Sequence, residues 1–358
     1  MKTPTTRGSS KANDSVISKR KLDHLDLCTT DDVAFRQRGT LLDSVQLVHQ
    51  ALPELSLGDI DLSVELLGKR LRAPLIIAGM TGGTERATQL NHELASVAEQ
   101  LGYGFGLGSQ RAMQRMPDTA NSYQVRTRAP TALLLGNIGV MQARELSTQD
   151  IQGLVDQVGA DALCVHMNPA MELIQDTGDR DFTGAVDTFR RLAAELSVPV
   201  VAKETGSGLS ERAARALRAC GVTTVDVSGA GGTSWVGVET LRAKGDAQSL
   251  GELLWDWGIP TAVSIAWCGG AGLQAIATGG IRHGRDVAAA VSLGATAAGI
   301  ARPVLQAFDQ GGTDAVVRFL QGVEQQLRAI MLLCGAGNIK ALQTAPKVIT
   351  GELREWLA

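Results

Sequence analysis

The chain has 358 residues, of which 44% are hydrophobic, and its formal net charge is −3. That length suffices for one large domain or two smaller ones. The slightly negative charge excludes a general attraction to nucleic acid or to an anionic membrane surface. Glycine is abundant at 41 residues, whereas aromatic residues make up only 4%. Such a composition is typical of α/β enzymes, in which tight turns bring the backbone close to bound phosphates.

The five cysteines lie far apart and include no C-x-x-C pair. This spacing disfavours a zinc site or a disulfide framework and indicates a reducing compartment, which we expect to be the cytoplasm. The polar residues 1–15 lack the apolar segment of a secretory signal, and we predict that they form a disordered arm. No apolar run reaches 18 residues, so we expect no transmembrane helix.

From about residue 73, short apolar segments alternate with amphipathic ones. Residues 85–102 have the helical period, and residues 210–221 and 285–294 have helix-like starts and glycine stops. Alternation of this kind predicts parallel strands joined by helices. We count eight predicted strands, in segments 73–80, 103–109, 132–139, 162–168, 198–204, 223–229, 273–280 and 295–302.

Eight such units predict an α/β fold, a (β/α)8 TIM barrel, for which about 250 residues suffice. An open doubly wound sheet is the alternative, but its glycine fingerprint is matched only loosely, inside the predicted strand at 103–109. We expect residues 16–72 to pack on the barrel as an N-terminal extension. Residues 311–358 are expected to form C-terminal helices. Residues 230–260 interrupt the alternation and are predicted to form a functional loop or lid.

Polar residues follow the predicted strands, where the active site of such a barrel lies. Gly280-Ile281-Arg282 and Ala301-Arg302 follow strands 7 and 8, the usual phosphate-binding position, and predict a phosphate-bearing cofactor. Lys203 ends strand 5 and would stabilise a reduced flavin ring, although an ion pair with Glu204 or another strand-end carboxylate is the alternative. Asn137 can hydrogen bond to the ring edge. These residues favour FMN over NAD.

A second anion site is indicated near the N-terminus. The basic cluster Ser18-Lys19-Arg20-Lys21, followed by Asp23-His24, is either a solvated face or, together with Arg111, a site for a diphosphate.

The fourth strand ends in His166 and Asn168, and Glu172 follows within one helical turn. Alone, these residues would be a core histidine, a helix cap and an exposed helix residue. Together at one strand end they indicate a functional site. Glu172 is a candidate Mg²⁺ ligand, because one carboxylate plus substrate phosphate often holds this ion.

Eight short motifs together match one known family. They are Arg20-Lys21-x-Asp23-His24-Leu25, Gly79-Met80-Thr81-Gly82-Gly83, Gly108-Ser109-Gln110-Arg111, Asn137-Ile138-Gly139, His166-x-Asn168, Lys203-Glu204, Ser228-Gly229-Ala230-Gly231-Gly232-Thr233-Ser234-Trp235 and Gly279-Gly280-Ile281-Arg282. On these motifs the chain resembles the FMN-dependent type 2 isopentenyl-diphosphate isomerases over about residues 18–342. The first, third and fourth motifs are quite specific, whereas the glycine motifs occur in other FMN barrels.

The resemblance implies an isomerase of isoprenoid biosynthesis that converts isopentenyl diphosphate to dimethylallyl diphosphate without net redox change. It implies FMN reduced by NADPH, Mg²⁺ held through Glu172, and a homo-oligomer, either a tetramer or an octamer. The single FMN-binding barrel domain would span residues 16–358. The implied catalytic residues are His166, Asn168, Met171 and Trp235. The implied substrate-binding residues are Arg20, Lys21, His24, Ser109, Gln110 and Arg111. The implied FMN-binding residues are Gly79, Met80, Thr81, Ser109, Asn137, Lys203, Ser228, Thr233, Gly280, Ile281, Arg282, Ala301 and Arg302.

Met171 departs from the family pattern, which usually has glutamine there. Methionine cannot donate a hydrogen bond or relay a proton. The segment Asp176-Thr177-Gly178-Asp179 also differs from the usual Pro-Glu-Gly-Asp. Three alternatives therefore stay open: a related FMN enzyme acting on another prenyl diphosphate, a non-catalytic binding protein, and an enzyme like the FMN-dependent 2-hydroxyacid oxidases. The oxidase alternative is disfavoured because this chain lacks the histidine base and the arginine that holds the substrate carboxylate. It has Ser228-Gly229-Ala230-Gly231-Gly232-Thr233 where that family has Ser-Asn-His-Gly-Gly-Arg.

Overall fold

The computed structural model describes residues 20–29 and 33–358. The predicted arm at 1–15, and Ser18-Lys19 of the basic cluster, lie outside the described residues. None of the helices in the two described ranges is long and apolar enough to cross a membrane.

Eight parallel strands form a closed barrel, which confirms the predicted fold class. Each strand pairs with the next along the chain, and the last closes the barrel by pairing with the first. Every strand lies within a segment predicted from the sequence. The strands are β1 (Leu75–Ile77), β2 (Gly104–Gly106), β3 (Leu134–Gly139), β4 (Ala162–Met167), β5 (Val200–Glu204), β6 (Thr224–Asp226), β7 (Gln274–Thr278) and β8 (Ala295–Ile300).

Helices connect the barrel strands, and the three helices predicted from the sequence are present. They are Glu85–Leu101, Glu211–Ala219 and Gly284–Ser292. Ser210 caps the second of these by accepting a hydrogen bond from the Ala213 amide at 3.1 Å. The other α-helices are residues 20–29, Arg111–Arg115, Val140–Glu145, Thr148–Val158, Pro169–Ile174, Ala185–Glu195, Trp235–Thr240, Gly245–Leu254, Thr261–Gly270, Arg302–Leu333, Ile339–Gln343 and Gly351–Trp356.

Short elements outside the barrel close its lower end and its side. The antiparallel hairpin of Val64–Leu66 and Lys69–Leu71 packs Leu66 and Leu71 against the apolar side chains inside the barrel, such as Leu135. Because this end is filled, the open space lies at the carboxyl ends of the strands. The 3-10 helices are Leu42–Ser44, Leu57–Asp59 and Pro117–Ser122.

The C-terminal segment is not helical throughout, contrary to the expectation for residues 311–358. Lys347–Ile349 is a strand that pairs antiparallel with Val45–Leu47 of the N-terminal extension. The reason is tertiary, because the N-terminal strand supplies the hydrogen-bond partners. Helix Arg302–Leu333 is also interrupted by non-helical backbone at Gly311 and Gly312.

The segment predicted as a functional loop, residues 230–260, contains the helices Trp235–Thr240 and Gly245–Leu254. They pack beside helix Pro169–Ile174, with Val236 against Ala170 and Ile174 in a small apolar cluster. This contact connects the segment after β6 with the segment after β4. Both segments therefore flank the carboxyl ends of the strands.

Candidate active site

A cavity of about 510 Å³ opens at the carboxyl ends of the barrel strands. This volume lies within the range of about 300–1,000 Å³ that is usual for ligand pockets. All eight strands or the residues just after them contribute to its wall, for example Thr81, Arg111, Asn137, His166, Lys203, Ser228, Gly279 and Ala301.

Every predicted site residue except Gln110 lines this cavity. The side chain of Gln110 is fully buried. Its amide nitrogen donates to the Leu154 carbonyl at 2.9 Å, and its oxygen accepts from the Asn137 amide at 2.9 Å. This geometry gives Gln110 a structural role, fixing the backbone at Asn137, in place of the expected substrate contact. The correction was not visible in the sequence, because the motif residues on both sides of Gln110 do face the cavity.

The helix at residues 20–29 covers part of the cavity mouth and brings the predicted basic residues to it. Arg20 Nη1 donates to Gln175 Oε1 at 2.7 Å, and His24 Nε2 lies 2.8 Å from Glu239 Oε1. Gln175 follows β4 and Glu239 lies in the segment after β6. The helix therefore bridges two of the loops that form the cavity wall.

His24 is held in a buried polar network. Burial lowers the pKa of His24 despite the hydrogen bond and charge of Glu239, so the imidazole donates to Glu239 from its neutral form. Burial acts to raise the pKa of Glu239, but His24 and Arg242 outweigh it and the net shift is downward. Arg242 also contacts Asp23 at 3.1 Å. The His24 ring meets Trp235 edge-on, with centroids 5.2 Å apart.

His166 contributes a neutral imidazole at the end of β4. Its Nδ1 lies 2.8 Å from Asn137 Oδ1, so this nitrogen carries the proton and donates it. Burial, helped by the charges of Lys203 and Arg111, lowers the pKa of His166 to about 4. The other ring nitrogen is therefore an acceptor at neutral pH.

Glu172 is a buried carboxylate in the first turn of helix Pro169–Ile174. One oxygen accepts from Asn168 Nδ2 at 2.8 Å and the other from the Asp179 amide at 2.9 Å. Each oxygen keeps a free lone pair. The Met171 sulfur lies 3.8 Å from Asn168 Nδ2, so the methionine also faces this group.

Lys203 forms the ion pair that the sequence left open as an alternative, with Asp226 rather than Glu204. Its ammonium lies 2.8 Å from Asp226 Oδ2, and both side chains are more than nine-tenths buried. The β5–β6 register places the two residues opposite each other. Glu204 instead accepts four amide hydrogens of the following loop. Lys203 still lines the cavity, so the ion pair does not exclude a ligand contact.

The residues present fit a phosphate-bearing flavin. The hydroxyls of Thr81 and Thr278 line the cavity and are buried without a hydrogen-bond partner among the described residues. Gly279 and Gly280 after β7 have φ of +107° and +74°, a left-handed backbone that only glycine adopts easily. Ser228 also has a positive φ, +35°, and such strain is often found at binding sites.

Several cavity residues were not predicted from the sequence. They include Cys28, Gln142 and Gln175 in the wall, and Glu239 and Tyr123 behind it. Gln175 follows the strand that ends in His166, and this position in the sequence could have indicated that Gln175 lies at the cavity. The sequence contains no comparable signal for Tyr123, because its contacts are distant along the chain.

A comparison with protein families identifies the relatives of this chain. The model of the FMN-dependent dehydrogenase family matches residues 13–171 and 165–349. The isopentenyl-diphosphate delta-isomerase of Methanosarcina mazei is 44% identical over 348 residues, covering 96% of this chain and 95% of that protein. The proteins of the same name from Methanothermobacter thermautotrophicus and Pyrococcus abyssi are 44% and 42% identical, with 96% and 94% of this chain covered.

The chain belongs to the isopentenyl-diphosphate delta-isomerase family. Solved structures of more distant proteins share its fold. Mandelate oxidase with (S)-2-phenylpropionate superposes with a TM-score of 0.64 at 17% identity, covering 94% of this chain and 98% of that one. Mandelate oxidase with benzoyl-formic acid gives 0.63 at 16% identity, with the same coverage. At 16–17% identity, the similarity to mandelate oxidase shows that the present chain has the same barrel fold, and it carries no information on the substrate of this chain.

Proposed function

We propose that this enzyme isomerises isopentenyl diphosphate to dimethylallyl diphosphate with bound FMN and Mg²⁺, and that NADPH reduces the flavin. The observation that supports the proposal is that two kinds of residue line the same cavity. Arg20, Lys21 and Arg111 suit a diphosphate, and the buried carboxylate of Glu172 suits a metal ion. Lys203 and the glycine-rich backbone after β7 suit a phosphate-bearing flavin.

The flavin would be held by the residues at the strand ends. Lys203 would face the ring, Asn137 would meet its polar edge, and the backbone at 279–282 with Arg302 would bind the phosphate. Arg282 strengthens this loop by donating to the Gly231 carbonyl at 3.1 Å. When bound and reduced, the flavin supplies an electron-rich face and acid–base groups beside the alkene.

Glu172 would hold Mg²⁺ together with the substrate. The described residues contain no cluster of three or more His, Cys, Asp or Glu side chains that could hold a metal by themselves. A single carboxylate completed by diphosphate oxygens is a usual arrangement for this ion. Asn168 and the Asp179 amide fix the orientation of Glu172, so its remaining lone pairs are directed before substrate arrives.

The cavity wall suits a reaction through a tertiary carbocation. Protonation of an unactivated alkene creates such a cation, which water would trap. Trp235 and Met171 line the cavity with apolar surface and limit water there, and the indole face can stabilise positive charge. His166 remains neutral, so it adds no repulsive charge.

An alternative is activity on another prenyl diphosphate, and Met171 is the observation that favours it. Methionine at this position presents apolar surface where an amide would offer a hydrogen bond. The diphosphate and metal contacts would be unchanged, and the alkenyl part of the substrate would differ.

The test is an anaerobic incubation of the purified protein with FMN, Mg²⁺, NADPH and isopentenyl diphosphate. We expect dimethylallyl diphosphate to accumulate without net consumption of NADPH beyond flavin reduction. If flavin is bound and reduced but no product forms, the isomerase proposal is refuted. Product formed only from a longer prenyl diphosphate would select the alternative.

We also propose that residues 16–358 form one FMN-binding domain and that the protein is a homo-oligomer. One apolar cluster includes Leu25 of the N-terminal helix, the barrel helices and Leu353 near the C-terminus. Sedimentation of the FMN-loaded protein would measure the oligomeric state.

A further inference from the structure

Lys21 is a basic residue at the cavity without an acidic partner among the described residues. Its Nζ donates to the Tyr123 hydroxyl at 2.8 Å and approaches the Ser109 carbonyl at 3.5 Å. Within the described part of the chain, no carboxylate lies at ion-pair distance from this nitrogen. Since Lys21 lines the cavity, its remaining donor capacity is available to a ligand there.

Tyr123 is placed to hold this amino group. The residue is fully buried, and its hydroxyl donates its one proton to the Ser109 carbonyl at 2.8 Å. The phenolic oxygen can therefore only accept from Lys21, so the contact requires the lysine to donate. Burial raises the pKa of Tyr123, so the phenol stays neutral and adds no counter-charge.

The loop after β1 leaves room for this pair. A Cβ atom at Gly82 would lie 2.2 Å from the Tyr123 ring, and one at Gly83 would lie 3.2 Å from Lys21 Nζ. The Gly83 amide also donates to Ser122 Oγ at 2.7 Å, next to Tyr123 in the chain. The loop at residues 82–83 is thus shaped around the Lys21–Tyr123 contact.

Burial and the charge of Arg20 oppose the protonation of Lys21 until an anion arrives. Arg20 and His24 lie on its own helix, Tyr123 packs beside it, and Arg111 and Glu172 line the same cavity from the ends of β2 and β4. Burial, and then the charge of Arg20, lowers the pKa of Lys21 to about 7. Between pH 7 and the ordinary lysine pKa of 10.5, a substantial fraction of the Lys21 amine is therefore neutral before a ligand binds.

We propose that Tyr123 is a positioning residue that holds Lys21 for the substrate diphosphate, and that diphosphate binding draws a proton onto Lys21. The inference rests on the proposed function, because it assumes that the anion in this cavity is a diphosphate. The bound diphosphate would supply the counter-charge that the protein lacks at this point. Diphosphate binding above neutral pH would then be accompanied by the uptake of a proton from solvent.

The experiment is calorimetric titration of the FMN-loaded protein with inorganic pyrophosphate and Mg²⁺, in buffers of different ionisation enthalpy. Four variants are compared with the parent protein: Tyr123→Phe, Lys21→Met, Lys21→Arg and the double variant Tyr123→Phe/Lys21→Met. Tyr103→Phe is the matched control, because Tyr103 is equally buried but its hydroxyl bonds to Glu324 at 2.5 Å, away from the cavity.

We expect Tyr123→Phe to weaken pyrophosphate binding about tenfold, the usual effect of losing a hydrogen bond to a charged group. Tyr103→Phe should leave the affinity unchanged. In the Lys21→Met background, adding Tyr123→Phe should change the affinity less than about twofold, because the partner is already gone. At pH 8 the parent protein should take up about one more proton per pyrophosphate than Lys21→Arg, whose guanidinium is always charged.

The outcomes separate the parts of the proposal. Equal weakening by Tyr123→Phe with and without Lys21 would overturn the positioning role, as would parent-like affinity of the single variant. Equal proton uptake by the parent and Lys21→Arg would overturn the protonation of Lys21, and this comparison stands even if the tyrosine variant fails to fold. If the FMN-loaded parent does not bind pyrophosphate at all, the diphosphate site of the proposed function fails, and this inference fails with it.

Discussion

The Lys203–Asp226 ion pair inside the barrel gives a prediction about stability. Both side chains are more than nine-tenths buried, and the charged atoms lie 2.8 Å apart. Asp226→Asn keeps the shape of the side chain but removes its charge. The Lys203 ammonium then stays buried without its counter-charge.

The expected loss is large for a single substitution. Removing one partner of a buried ion pair costs about 3–5 kcal/mol. With an unfolding entropy of about 2.1 cal/mol/K per residue, a chain of 358 residues has about 0.75 kcal/mol/K in total. The midpoint temperature of unfolding should therefore fall by about 4–7 °C.

The measurement is the thermal unfolding midpoint of FMN-loaded protein at neutral pH. The control is Glu211→Gln, which breaks the exposed i,i+4 pair of Arg215 and Glu211 at 2.6 Å. That variant should lose at most about 0.5 kcal/mol, or less than about 1 °C. The double variant Lys203→Met/Asp226→Leu should be more stable than Asp226→Asn, because no unpaired charge is buried. If Asp226→Asn and Glu211→Gln shift the midpoint equally, the argument from burial is refuted.

Three further predictions concern the end of β4 and the helix that follows it. Folding lowers the pKa of His166 from its ordinary value of about 6.5 to about 4, so the unfolded chain binds a proton at this residue more readily. The contribution of His166 to the free energy of unfolding should therefore be full above pH 6.5 and fall by about 3 kcal/mol as the pH drops toward 4. Met171→Gln should raise the turnover of isopentenyl diphosphate in the anaerobic assay, because glutamine restores an amide that can donate a hydrogen bond at this position. Glu172→Gln should raise the half-saturating Mg²⁺ concentration by at least about tenfold.

Each of these predictions has a matched control. His49 is exposed, so His49→Gln should keep the acid-side loss of stability, whereas His166→Gln should remove most of it. Met171→Leu keeps an apolar side chain of similar volume, so a gain of turnover equal to that of the glutamine variant would disprove the role of the amide. Glu145 is exposed at the end of helix Val140–Glu145, and Glu145→Gln should leave the Mg²⁺ dependence unchanged. A parent-like response of Glu172→Gln would remove Glu172 as the metal ligand.

The sequence was sufficient to predict the barrel, because its signals are local. Each strand is a short apolar run followed by a polar or glycine-rich turn, and each such run contains a barrel strand. Helix Glu211–Ala219 likewise begins beside Ser210, as its cap predicts. The predicted strands also indicated where the cavity lies, since the carboxyl ends of parallel strands meet at one end of a barrel.

Local signals did not determine which side chains at those ends face the cavity. Gln110 stands between Ser109 and Arg111 in the sequence, yet it turns into the protein to bond with Leu154 and Asn137. The strand Lys347–Ile349 was missed for a related reason, because its partner Val45–Leu47 lies some 300 residues away in the chain.

By itself, the sequence determined the order of strands and helices, the glycine-rich turns and the identity of the charged groups at the strand ends. Only the tertiary structure decided the partners of those groups. Asp226 rather than Glu204 pairs with Lys203, Glu239 supports His24, and Tyr123 supports Lys21. The physical reason is that secondary structure follows from contacts between near neighbours, whereas the charge and orientation of a buried side chain depend on groups brought together from distant segments by barrel closure.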